Sequence, residues 1–285
     1  MPFVGTRQEL PLSCGKRDAV CGKPEGDCPR RPGKGMSFAG GEASVTKIKI
    51  CGLRRPEDIA IVNDYLPDYA GFIIDFPASF RSIAHEEVKN LTSKLDKRIL
   101  PVGVFVDAPI EIVIDLLKGG ALGAAQLHGN ESPEYIMKVQ EATGKPVIKS
   151  FVMPRENASQ KQGTQGFHEA QSVEQKLVGS PNSGEDAAFR WRAQVILKAA
   201  ESSPADRILL DAGKGSGQTF NWDLLTGFSR PFFLAGGISA ENISDAIENL
   251  HPYAVDISSS VESDRFKDRQ KVKNIIEKVR KGNIK

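Results

Sequence analysis

Apolar and polar residues alternate from Lys47 through Ile48 and Ile50, the two-residue period of a strand. The run stops at Gly52, and Pro56-Glu57-Asp58 follows as a helix start, with proline in the first turn and acids beside it. The same sequence of patterns recurs along the chain. Strands are expected at 47–52, 69–76, 99–106, 121–127, 146–152, 207–210, 232–235 and 254–257. Helical periodicity falls between them at 57–66, 85–95, 109–118, 133–143 and 189–200, with a short turn at 221–225. A helix from Glu241 follows the seventh strand. The closing helix spans 267–281, apolar at Val272, Ile275, Ile276 and Val279.

Strands apolar on both faces and separated by helices form parallel sheets. Eight of them predict a closed (β/α)8 TIM barrel, whereas a doubly wound open sheet usually carries fewer. The barrel is expected as a single domain over 47–285, with an insertion at about 153–188 after strand five. That insertion is rich in Gln, Ser, Gly and Asn, which predicts a disordered loop rather than a lid over the site. Residues 1–46 hold Gly, Pro and charge without periodicity and read as a disordered tail, in which Met36 is a candidate alternative start.

Hydrophobic content of 40% and charged content of 26% suit a soluble protein with a sizeable core. The tail carries seven basic and five acidic residues, which accounts for the whole net charge of +2 and leaves the barrel neutral. Neither nucleic acid nor a membrane surface is therefore an expected partner. No apolar run approaches the ~20 residues of a membrane span, and a cytoplasmic location is expected. Cys14, Cys21 and Cys28 lie in the tail, seven residues apart each time. That spacing suits neither a metal knuckle nor a disulfide framework, so no metal is expected.

Chemistry in a (β/α)8 barrel sits at the carboxyl ends of its strands. Those ends read Cys51, Asp75, Asp107, His128, Lys149, Asp211, Gly236-Gly237 and Ser258-Ser259-Ser260. Asp107 is explained simply as the start of the helix behind Pro109. Asp211 precedes a Gly-rich loop with room for ligand, where a carboxyl with a raised pKa would serve as a general acid. A thiol and a carboxyl across one pocket suit removal of a proton from carbon at one point and delivery to oxygen at another. The Gly-Gly and Ser-Ser loops after strands seven and eight offer backbone N–H groups to a phosphate.

These residues resemble one family, phosphoribosylanthranilate isomerase of tryptophan biosynthesis. The resemblance covers about 47–280 and rests on Lys-Ile-Cys-Gly-Leu at 49–53, Val-Gly-Val-Phe-Val at 102–106, Gln-Leu-His-Gly at 126–129 and Leu-Leu-Asp at 209–211. It continues with Gly-Ser-Gly-Gln-Thr-Phe-Asn-Trp at 215–222, Leu-Ala-Gly-Gly-Ile at 234–238 and Val-Asp-Ile-Ser-Ser-Ser-Val-Glu at 255–262. It implies an Amadori rearrangement of an N-(5-phosphoribosyl)anthranilate aminoaldose to the aminoketose, without metal or organic cofactor. Asp211 would protonate the furanose ring oxygen, and Cys51, as thiolate with a depressed pKa, would take the proton from the sugar C2. Arg81 would face the anthranilate carboxylate. His128 and Asp256 would line the pocket, and Gly236, Gly237, Ser258 and Ser259 would seat the phosphate. The partner implied is a small phosphorylated sugar, met by a monomer or homodimer.

The chain departs from the family pattern at Gln218 and Asn221, where Lys and Asp are usual, and at Ser260, where Gly is usual. Three other readings compete. The aminoaldose isomerase of histidine biosynthesis places Asp where this chain has Cys51. Indole-glycerol-phosphate synthase needs catalytic lysines with no placed counterparts. A non-catalytic sugar-phosphate binder has no need of both Cys51 and Asp211.

Overall fold

The computed structural model describes residues 45–154, 185–211 and 221–283. The tail cysteines, Met36, most of the insertion and Gln218 lie outside these residues. Eight parallel strands form the barrel: β1 (Lys47–Cys51), β2 (Tyr69–Ile74), β3 (Leu100–Phe105), β4 (Ala124–Leu127), β5 (Val147–Val152), β6 (Arg207–Asp211), β7 (Phe232–Ala235) and β8 (Ala254–Ile257). Each pairs with the next, and β8 pairs with β1, so the sheet closes as the alternating pattern predicts. Around it run α1 (Pro56–Tyr65), α2 (His85–Thr92), α3 (Ile110–Lys118), α4 (Pro133–Thr143), α5 (Glu185–Ser202), α6 (Ile243–Leu250) and α7 (Arg269–Gly282).

Strand parity divides the chain into two apolar layers. Ile48 and Ile50 of β1 point outward and join the layer shared with Ile59 and Val62 of α1 and Val272, Ile275 and Ile276 of α7. Inward-pointing Tyr69, Val102, Ala124, Ile148, Leu209, Phe233 and Ala254 fill the floor of the barrel. There Phe233 packs edge-on against Tyr69 at 5.3 Å between ring centroids. With this floor filled, the carboxyl ends of the strands are the face on which this fold carries its chemistry.

Several boundaries move for local reasons. β2 ends at Ile74 because Asp75 turns into the left-handed region at φ 48° and caps α2, accepting from His85 N at 3.1 Å. β4 starts only at Ala124, since 121–123 complete the exit from α3 behind Gly119-Gly120. The closing helix starts at Arg269, not Lys267. Asp268 caps it, accepting from Gln270 N and Lys271 N, while Lys267 lies in a small hairpin pairing Glu262–Ser263 with Phe266–Lys267.

Candidate active site

Closure of the barrel sets the side chains of β1 against two strands at once. Lys49 stands opposite Asp256 in the β1–β8 register, and Cys51 stands opposite Gly71 in the β1–β2 register. Lys47, Lys49 and Cys51 share the inward parity. Lys47 Nζ donates to the Tyr253 hydroxyl near the floor. Lys49, 0% exposed, donates to both carboxylate oxygens of Asp256 at 3.0 Å. Its charge also acts on the Cys51 thiol one step higher on the same strand. Gly71 makes the room: a Cβ there would lie 2.7 Å from Cys51 Sγ and 3.0 Å from Lys49 Nζ.

These charges bear on the thiol in opposite directions. Burial pushes Cys51 above the ordinary thiol range, Lys49 pulls it down, Asp256 pushes it up and Lys267 pulls it down, and the net shift is upward. The shift runs opposite to the depressed thiol expected from sequence, because desolvation outweighs the two nearby ammonium groups. Burial also pulls down on Lys49, yet Asp256 and Cys51 outweigh it and the ammonium is held above its ordinary range.

Across the pocket, β6 ends in Asp211, only 8% exposed. Its Oδ2 lies 3.4 Å from His128 Nε2. The other ring nitrogen of His128 lies 3.1 Å from the amide nitrogen of buried Gln126, which in turn donates to the Ser150 hydroxyl. An amide donor at Nδ1 leaves the ring proton on Nε2, facing Asp211. The strand-end thiol and carboxyl thus open onto one rim, three strands apart around the ring.

Gly52 after β1 has φ 82°, and a Cβ there would meet the Arg81 side chain at 2.5 Å. Arg81, stacked on Phe80, donates through Nε and Nη2 to the two oxygens of Glu262, both at 2.7 Å. Burial works against charge on Glu262, but Arg81 and Lys267 outweigh it and hold the carboxyl below its ordinary range. Lys267 Nζ bridges Glu262 and the Ser258 carbonyl, at 2.7 and 3.0 Å.

The loops after β7 and β8 complete the rim. Gly236 and Gly237 both adopt left-handed conformations, at φ 81° and 69°, which L residues with side chains resist. Asn242 fixes this turn by donating to the Gly237 carbonyl and accepting from Ser239 N, each at 2.9 Å. The Ser258 hydroxyl donates to the Cys51 carbonyl at 3.1 Å, joining this loop to β1. Ser259 opens a three-residue 3-10 turn.

The family model described as N-(5'phosphoribosyl)anthranilate (PRA) isomerase matches residues 48–196 and 193–278. The chain belongs to this isomerase family. It is 36% identical over 226 residues to the N-(5'-phosphoribosyl)anthranilate isomerase of Endomicrobium trichonymphae, covering 79% of this chain and 94% of that protein. Against the same enzyme from a Thermoanaerobacter species it is 35% identical over 238 residues, covering 83% and 98%. The crystal structure of phosphoribosyl anthranilate isomerase from Thermus thermophilus is similar at a TM-score of 0.60 and 29% identity, covering 83% of this chain and 99% of that one. A second isomerase structure, in complex with reduced 1-(o-carboxyphenylamino)-1-deoxyribulose 5-phosphate, is similar at a TM-score of 0.60 and 28% identity, with the same coverage.

Within this isomerase fold, the strand-end residues divide into two groups. Cys51, His128, Asp211 and the loops after β7 and β8 face the rim. Asp75 instead pairs with His85 at 2.7 Å, and Asp107 braces the next loop by accepting from Asn130. Lys149 has the outward parity of Val147 and Phe151 and turns away from the pocket. It meets Glu131 at 3.1 Å and the Gly129 carbonyl at 2.7 Å, both partners buried. Asn221 caps the 3-10 turn that follows, accepting from Asp223 N at 3.0 Å.

Sequence reasoning passed over Lys49, Gly71, Glu262 and Lys267. The signal for Lys49 was its parity, a lysine on the inward face of an otherwise buried strand, two residues before Cys51. Glu262 and Lys267 carry no such local signal, because their roles come from a hairpin the periodicity did not resolve.

Proposed function

We propose that the chain catalyses the Amadori rearrangement of N-(5-phosphoribosyl)anthranilate to 1-(2-carboxyphenylamino)-1-deoxyribulose 5-phosphate, the isomerisation of tryptophan biosynthesis. The observation that carries the reading is a thiol on β1 and a carboxyl on β6 sharing one rim of a barrel that belongs to this isomerase family. Asp211 delivers a proton to the ring oxygen and opens the furanose. Cys51 then takes the proton from C2, and the electrons move toward the protonated imine to form the enolamine that becomes the ketose. Arg81 receives the anthranilate carboxylate as a planar two-point partner. Gly236, Gly237, Ser258 and Ser259 present backbone N–H groups to the phosphate. His128 and Asp256 line the pocket beside the acid and the base.

The substrate is a small phosphorylated sugar, reached from solution by a monomer or homodimer in the cytoplasm. No helix among the described residues is long and apolar enough to cross a membrane. The test is loss of anthranilate-type fluorescence when the purified protein meets freshly made phosphoribosylanthranilate. Rapid loss in the parent and none in Asp211→Asn supports both the activity and the acid. No loss in a folded parent rejects the reading in favour of a sugar-phosphate binder or another substrate.

A further inference from the structure

Cys51 as a base poses a problem that its own position does not solve. A thiolate is needed to take a proton from carbon, yet the sulfur sits in a buried layer where a lone negative charge is costly. A counter-ion fixed inside the barrel answers this. Among the described residues, three charged side chains act on the thiol: Lys49 from its own strand, Asp256 from β8 and Lys267 from the hairpin before α7. Lys267 is committed to Glu262 and the Ser258 carbonyl. Lys49 is fully buried, lies on the same strand face two residues from Cys51, and its Nζ borders with Sγ the space in front of Gly71, where a Cβ would lie 3.0 Å from the nitrogen and 2.7 Å from the sulfur.

We propose that Lys49 is a positioning residue for the reaction: its ammonium, clamped by Asp256, is the resident counter-ion of the Cys51 thiolate while that sulfur removes the sugar proton. This rests on the reading of Cys51 as the base. The clamp matters because a free lysine would fold its charge away from the sulfur or give up its proton in the dry interior. Two bonds to Asp256 fix the nitrogen, and Gly71 leaves the space that both Nζ and Sγ border. When the thiol ionises its proton passes to water, and Lys49 keeps its own proton throughout. The thiolate then accepts the C2 proton and returns to the neutral thiol.

The opposite signs of the two neighbours give the test. In full-length protein carrying Cys14→Ser, Cys21→Ser and Cys28→Ser, the ionisation of Cys51 is followed by thiolate absorbance at 240 nm, as the difference from the same protein with Cys51→Ser. Lys49→Met is expected to raise the midpoint by about one pH unit or more, and Asp256→Asn to lower it. The rising limb of the kcat/KM profile moves with the midpoint in Lys49→Met. Should that variant fail to fold, Lys49→Met with Asp256→Asn removes both buried charges together. Its midpoint is expected above the parent's, because Lys49 acts on the thiol more strongly than Asp256 does. An unmoved midpoint in either lysine variant, or a shift of the same sign in Lys49→Met and Asp256→Asn, overturns the proposal. Midpoints that move as expected while kcat/KM does not follow them would instead overturn the base role of Cys51 itself.

Discussion

Arg81 and Glu262 form a two-point fork, Nε to Oε1 and Nη2 to Oε2, each at 2.7 Å. The guanidinium that would receive the anthranilate carboxylate is thus already oriented by a protein carboxylate on one edge. Glu262 in turn holds Lys267, which holds the carbonyl of Ser258 in the loop proposed to seat the phosphate. One glutamate therefore ties Arg81 to the loop after β8.

Glu262→Gln is expected to raise KM by about tenfold with a smaller effect on kcat, because it loosens Arg81 and the Ser258 loop rather than the reacting groups. Stability should fall by about 3 kcal/mol, since Lys267 is left buried without its counter-charge. Steady-state kinetics and urea unfolding check both parts, and an unchanged KM would separate Glu262 from substrate binding.

Gly71→Ala places a methyl group 2.7 Å from Cys51 Sγ. The expected result is a fall in kcat of about 100-fold, because a displacement on the order of 1 Å at the proposed base is enough. Destabilisation should be only about 1–3 kcal/mol, the usual range for overpacking. Retained kcat in a folded variant would show that the sulfur does not need its present place.

The pH dependence of stability follows from Cys51. Burial raises the folded thiol above its ordinary value while the unfolded chain titrates at about 8.5. The folded state then holds its proton more firmly, so this group's contribution is fully present below about pH 8.5 and is lost as pH rises toward the folded value. Urea midpoints measured from pH 7 to 10 should fall more steeply in the parent than in Cys51→Ala. Parallel curves would show that the thiol is not raised.

His128→Ala removes the imidazole 3.4 Å from Asp211. A decrease in kcat of about tenfold to 100-fold is expected from the lost partner of the proposed acid, with little change in Tm because the histidine is half-buried rather than part of the apolar layers. A change confined to KM would place His128 in substrate binding alone.

The sequence by itself determined the order of strands and helices, because hydrophobic periodicity is local and each strand is buried on both faces. It also determined that Cys51, His128 and Asp211 stand at strand ends, since a strand's end is set within a few residues. The turn at Asp75 shortened β2, and a hairpin around Lys267 delayed α7, both through side-chain caps that periodicity does not register. Partnership was another matter. Lys49 meets Asp256 207 residues away, and Arg81 meets Glu262 at a separation of 181. Only closure of β8 on β1, and the fold of the last hairpin, brings those groups within reach. Closure likewise decided that Lys149, though at a strand end, belongs to the outer layer with Glu131, because the face a side chain takes follows from which neighbours its strand acquires. The thiol's raised pKa came from tertiary burial as well: the chemical identity of cysteine is written in the chain, but its solvent and its charges are assembled by the barrel.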